Sequence, residues 1–408
     1  RDAAPDEWVW IIGDTVDHNP QGERRFPGRV ARTRPQKALV RFTRSFSPRG
    51  LVGAPAVDRN GRVVGMVVRI TEGAAWLVTA SGLRERLNET PFVPAKARPG
   101  APVPAAPRSL LEARRGFATR LIRRIHVGKR PADAPPPGVF NRVRYPSPAG
   151  KLAAYVTPDP GDGQRHPAVV WAHGGFGGID RGFWKPAPPD DDQTAQAFRK
   201  AGLVLMLPSW RGENDNPGLL EMYYGEVDDL LAAVRYARGL PYVDPNRVYV
   251  AGHSAGGTLA LLAAECPSGA RAVFSFGGAP AVGWLAAEDR NTPFDLDSWN
   301  EVRARGAVHH VPAIQCPTFY FEGSASGRYC RDAKIMEEVA HRVGRPFNAF
   351  VIPAGTHSNI LRPLTRLVAE KIKADTGPAC GIRIEQGELQ RAFFRQYRGT
   401  PVTAGIHS

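Results

Sequence analysis

The chain has 408 residues, 42% of them hydrophobic, which is enough for two or three domains with a sizeable core. No apolar run approaches the roughly 20 residues that cross a bilayer, and the opening RDAAPDEW carries no apolar signal stretch, so no membrane span is expected. The formal charge of +15 is dispersed along the chain without an RRM, KH or helix-turn-helix pattern, so it reads as solvated surface and not as a nucleic-acid footprint.

Residues 1–90 hold short β-branched runs, among them Trp8-Val9-Trp10-Ile11-Ile12, Ala38-Leu39-Val40-Arg41-Phe42 and Val63-Val64-Gly65-Met66-Val67-Val68, separated by Gly, Pro and Asn. That spacing predicts a small antiparallel β-barrel-like domain. Within it, Gly50-Leu51-Val52-Gly53-Ala54-Pro55, followed by an Asn60-Gly61 hairpin and Val63-Val64-Gly65, resembles the nucleophile region of trypsin-like proteases, where the pattern is G-x-S-G-x-P. The resemblance covers about residues 8–88, one barrel of a two-barrel protease. Val52 stands at the serine position, and a valine has neither a proton to transfer nor a lone pair to attack with. The resemblance therefore implies a degenerate domain kept for packing or for binding a protein partner, although any small barrel with an Asn-Gly hairpin would share the pattern.

PFVPAKARPGAPVPAAP, Pro91 to Pro107, is a Pro/Ala-rich linker over about 91–108, because such a composition stays extended and packs no core. Beyond it, Leu110, Phe117, Leu121 and Ile125 recur at helical spacing, with Arg114, Arg115, Arg120, Arg123 and Arg124 on other faces. This predicts a basic amphipathic helix and connection over 109–137. It either docks on the next domain with its arginines in water or meets a membrane or partner.

From Arg142 onward, apolar runs alternate with helical ones. Strands are predicted at Ala168–Trp171, Leu203–Met206, Arg247–Val250, Ala272–Phe276, Thr318–Phe321 and Ala349–Ile352, and helices near 192–201, 225–238, 255–265, 331–343 and 361–375. Near-continuous apolar strands between helices indicate an α/β fold, a doubly wound mostly parallel sheet over 138–376, with its site at the carboxyl ends of the strands. Residues 377–408 are left as a C-terminal extension.

Gly252-His253-Ser254-Ala255-Gly256 lies between a predicted strand and a predicted helix, the context that a G-x-S-x-G nucleophile elbow requires. Ser254 is the candidate nucleophile. A serine hydroxyl needs a base to take its proton, and His357, in the loop after the last strand, is the candidate. His173-Gly174-Gly175-Phe176-Gly177-Gly178 follows a strand directly, so the N–H groups of Gly175 and Ala255 are expected to form an oxyanion hole. The glycine run has neither the Lys-Ser/Thr ending of a P-loop nor the order of a dinucleotide site.

These motifs, with Ser209-Trp210-Arg211-Gly212, Gly225-Glu226-Val227-Asp228-Asp229 and Val243-Asp244-Pro245-Asn246-Arg247-Val248-Tyr249-Val250, resemble the α/β-hydrolase superfamily and its prolyl-oligopeptidase and dienelactone-hydrolase-like branch. The resemblance runs from about Val143 to Asp375. It implies hydrolysis of an ester, amide or short peptide through an acyl-enzyme, with no cofactor. The family's acid follows a strand-end Gly in a pattern like G-x-x-D, but here Gly323-Ser324-Ala325-Ser326 puts Ser326 at that position. Glu322 is preferred as the acid because a strand-end carboxylate is rigidly held. Asp332 and the loop acids Asp289, Asp295 and Asp297 remain alternatives. Trp284, Phe294 and Trp299 are candidate lid or pocket residues, though core packing accounts for them equally.

Cys266, Cys316, Cys330 and Cys380 have no metal-ligand spacing and are expected to be free thiols, which favours the cytoplasm. The chain opens on Arg1, so an upstream segment is left open. The competing function class is a non-enzymatic interaction protein built from two degenerate halves, favoured by the displaced acid and opposed by the intact Ser254, His357 and glycine run.

Overall fold

A computed structural model of the chain describes residues 4–13, 24–34, 37–42, 55–57, 63–71, 74–81, 107–283, 292–296 and 298–397. The chain divides into two compact units, Arg1–Ala105 and Ala106–Ser408.

The first unit is a closed antiparallel barrel of strands β1 (Trp8–Gly13), β2 (Arg24–Arg34), β3 (Lys37–Phe42), β4 (Pro55–Val57), β5 (Val63–Thr71) and β6 (Ala74–Thr79), in the order β1-β2-β3-β6-β5-β4. Alternate residues point inward, as the two-residue strand period requires, and Val9, Ile11, Val30, Ala38, Val40, Val67 and Leu77 form its core. Gly50–Ala54 and Asp58–Arg62, and with them Val52 and most of the protease-like pattern, lie outside the described residues. So do residues 91–106 of the linker.

The second unit is built on an eight-stranded sheet of β7 (Asn141–Ser147), β8 (Gly150–Val156), β9 (His166–Ala172), β10 (Val204–Pro208), β11 (Val243–His253), β12 (Val273–Phe276), β13 (Thr318–Gly323) and β14 (Phe347–Ile352). The order is β14-β13-β12-β11-β9-β10-β8-β7. Pairing is parallel from β14 to β10 and antiparallel for β8 with both β10 and β7. The described helices are α1 (Leu110–Ala113), α2 (Gln196–Lys200), α3 (Gly225–Arg238), α4 (Ala255–Ala264), α5 (Trp299–Arg303), α6 (Gly327–Arg342), α7 (Leu361–Ala374) and α8 (Gln386–Gln396).

The sheet is covered on both faces, and strand alternation divides its residues between two cores. Val170, Val204, Met206, Val250 and Tyr320 pack with Leu230 of α3, Leu259 of α4 and Met336 of α6. Val169, Trp171, Leu205, Phe274 and Phe321 pack with Phe198 of α2, Leu364 of α7 and Phe393 of α8. The doubly wound sheet is the expected fold.

Two expectations are corrected. The basic amphipathic helix expected within the helix and connection over 109–137 is a single helical turn, α1, capped by the Ser109 hydroxyl and followed by an irregular strap. The helix stops because Gly116 takes φ +79° and the Arg114 side chain turns inward to bind carbonyls, where it is buried. The apolar spacing was real, since Leu110 is buried, Leu121 pairs with Phe294 and Ile125 packs on the core. The second correction is the C-terminal extension. Ile382, Leu389 and Phe393 are buried in the core beneath α7, so residues up to 397 belong to the second unit.

Candidate active site

The carboxyl ends of β9, β11, β12, β13 and β14 converge on the site. Ser254 sits between β11 and α4 with φ 53° and ψ −116°, a conformation costly for any residue with a Cβ and held here by the Ser254 N–H bond to the Phe276 carbonyl at 2.9 Å. The turn is possible because Gly256 lets α4 press against β9: a Cβ there would lie 2.0 Å from the Ala172 carbonyl oxygen.

His357 lies in the loop after β14, and its Nδ1 is 2.9 Å from Glu322 Oε2 at the end of β13. Glu322 is fully buried, whereas the His357 side chain keeps 31% of its surface exposed. The other Glu322 oxygen accepts the Gly323 N–H at 2.7 Å. A carboxylate oxygen accepts, so a neutral His357 bonded in this way carries its proton on Nδ1. Asp332 lies within α6, Asp295 is exposed, and Asp289 and Asp297 are outside the described residues.

Three residues that the sequence left unassigned shape this pair. Gly277 has φ +64°, and a Cβ there would come within 2.6 Å of the His357 ring. His253 donates from Nε2 to the His357 carbonyl at 3.0 Å, fixing the loop that carries the base. Burial, with the neighbouring His357, lowers its pKa to about 3. Tyr329 stacks on His357 with ring centroids 5.6 Å apart. A glycine at the end of β12 was the available sequence signal for the first; the others come from contacts remote in the chain.

Gly175, at φ +67°, and Ala255 line the same cavity as Ser254. As the first residue of α4, Ala255 has no helical acceptor for its N–H. His173 turns away from the cavity. It is buried against Glu213, 3.1 Å from Nε2, and although burial opposes its charging, the Glu213 charge and hydrogen bond raise its pKa.

The cavity, about 550 Å³, is walled by apolar residues, including Ile125 and Val127 of the strap, Phe176, Leu220, Met222 and Tyr223. Phe294 is not part of this wall. It is buried, with the Arg305 guanidinium 3.9 Å from its ring, while Trp299 stacks edge-on with His309. Trp284 lies outside the described residues. All four cysteines are free thiols, and no group of three His, Cys, Asp or Glu among the described residues could hold a metal. No described helix is long and apolar enough to cross a membrane.

Residues 189–307 match the family model for the prolyl oligopeptidase family. Among solved structures, the chain is similar to an acylaminoacyl peptidase of Pyrococcus horikoshii, with TM-score 0.51 and 13% identity, over 90% of this chain and 55% of that one. It is also similar to a puromycin-hydrolyzing peptidase of Mycobacterium tuberculosis (TM-score 0.47, 16% identity, 82% of this chain and 45% of that one). A thermophilic esterase from the Planctomycetes species Thermogutta terrifontis gives TM-score 0.46 and 21% identity over 62% of this chain and 98% of that one. The chain thus spans about half the length of the two peptidases. The second unit has the α/β-hydrolase fold, and residues 189–307 within it are similar in sequence to the prolyl oligopeptidase family.

Proposed function

We propose that the protein is a serine hydrolase that cleaves an ester, amide or short peptide bond through an acyl-enzyme on Ser254. The observation that carries this reading is the ordered, buried Glu322 carboxylate bonded to His357 beside a strained serine elbow. In the proposed first step, His357 Nε2 takes the Ser254 hydroxyl proton while Oγ bonds to the substrate carbonyl carbon. The Gly175 and Ala255 N–H groups stabilise the oxyanion. The imidazolium, steadied by Glu322, then gives its proton to the leaving group as that bond breaks. Water attacks the acyl-serine by the same route and releases the acid. No step draws on the barrel.

The test is pre-steady-state turnover of p-nitrophenyl acetate. A burst of nitrophenolate equal to the enzyme concentration, followed by slower steady turnover, is the expected result. Release with no dependence on Ser254 contradicts the reading.

A further inference from the structure

Met222 and Tyr223 stand side by side in the cavity wall, and both have positive φ, 52° and 70°. Neither is glycine, so something must impose the conformation. Beneath it lie three buried ionisable side chains, Glu226, Arg305 and Arg114. Glu226 Oε1 accepts the N–H of Glu221 at 2.7 Å and of Met222 at 3.1 Å, and its Oε2 accepts the N–H of Tyr224 at 3.2 Å. The Arg305 guanidinium donates to the Glu221 carbonyl at 3.0 Å and the Met222 carbonyl at 2.8 Å. Arg114 donates to the Tyr223 carbonyl at 2.9 Å and the Tyr224 carbonyl at 3.0 Å. Four successive carbonyls are thus each bonded by a buried guanidinium. The wall is also tied to the strap, since the Leu220 N–H bonds to the Ile125 carbonyl at 2.9 Å.

We propose that Met222 and Tyr223 are the residues that set substrate specificity, and that Arg114, Arg305 and Glu226 are positioning residues that hold them against an uncharged, apolar acyl group. This rests on the serine-hydrolase reading. Met222 and Tyr223 line the same cavity as Ser254, so an octanoyl chain on the serine is expected to gain contact with them that an acetyl group does not. The clamp therefore acts on long acyl groups through binding and leaves the chemistry at Ser254 to other residues. Buried polar side chains satisfied by backbone groups in this way fix one conformation, because any other would leave them without partners, and here the conformation fixed is that of the pocket.

The experiment compares p-nitrophenyl acetate with p-nitrophenyl octanoate in the full chain. The wild type is expected to favour octanoate in kcat/KM. Arg114→Lys keeps the charge but not the forked geometry. It is expected to lower the octanoate-to-acetate ratio at least about tenfold, through octanoate KM, with an acetate loss under about threefold. Should that variant not fold, the isosteric Glu226→Gln, which turns one acceptor into a donor facing Tyr224, carries the same expectation. Parallel losses on both esters, or an unchanged ratio, overturn the proposal. A wild type that prefers acetate overturns the apolar-acyl assignment. A wild type that turns over neither ester contradicts the serine-hydrolase reading itself.

Discussion

The core of the barrel is Val9, Ile11, Val30, Val40, Leu77 and their apolar neighbours, and the buried polar residue among its described positions is Thr79. The second unit fully buries Glu213, Glu226, Asp229, Glu265, Arg305 and Glu322 as well as its apolar residues. Burying an ionisable group opposes folding unless the group is paired or hydrogen-bonded to something it holds in place. Most of these groups meet that description: Glu322 orders the histidine, Glu213 fixes His173 under the glycine loop, and Glu226 and Arg305 hold the cavity wall. Glu265 differs, since neither of its carboxyl oxygens has a hydrogen-bond partner among the described residues.

The contrast is broken first at the proposed nucleophile. Ser254→Ala is expected to lower kcat/KM for p-nitrophenyl acetate at least about a thousandfold, with an unchanged circular dichroism spectrum, because it removes the attacking atom and little volume. Next comes the acid. Glu322→Gln removes the charge that steadies the imidazolium and is expected to cost about a hundredfold or more in turnover. Asp332→Asn and Asp295→Asn are expected to stay within about threefold of wild type. The reverse ranking would move the acid while leaving Ser254 and His357 in place.

A smaller effect is expected on stability. Burial raises the Glu265 pKa well above the usual carboxylate range, against the charge of Arg114. The folded state therefore keeps a proton that the unfolded chain loses above its own pKa of about 4.5, so this group's contribution to stability is fully present below that pH and declines as pH rises. Glu265→Gln cannot ionise, and its melting temperature is expected to fall less than that of wild type between pH 5 and pH 8 in matched thermal scans. Identical slopes would mean that Glu265 titrates as an ordinary surface carboxylate. The smallest effect belongs to the barrel: removal of residues 1–105 is expected to leave acetate hydrolysis within about twofold, since Ser254, His357, Glu322 and both proposed oxyanion donors lie in the second unit. A folded but inactive truncation would show that the barrel supplies part of the site.

Much of this arrangement was legible from sequence because parallel strands buried on both faces read as apolar runs, and the GHSAG segment falls at the end of one of them. Glu322 could be preferred over Asp332 because its place at a strand end is a local property. The wall of the cavity was not legible. Met222 and Tyr223 carry no glycine to announce a left-handed backbone, and their conformation depends on Arg114 and Arg305, each about a hundred residues away in the chain. The same long-range capture of Arg114 defeats the helical periodicity of residues 110–125, since local spacing cannot register a carbonyl near residue 223. The helix at Gln386–Gln396 did leave a signal, Leu389 and Phe393 one turn apart, which composition alone passed over.

The central claim is that Ser254 is a nucleophile activated by its surroundings, and covalent labelling tests it without any assumption about the substrate. After incubation with a fluorophosphonate, intact mass spectrometry of the wild type is expected to show one adduct per chain, mapped to the peptide containing Ser254. Ser254→Ala is expected to remain unlabelled. A wild type that takes up no probe, or a Ser254→Ala variant labelled to the same extent, would contradict the account.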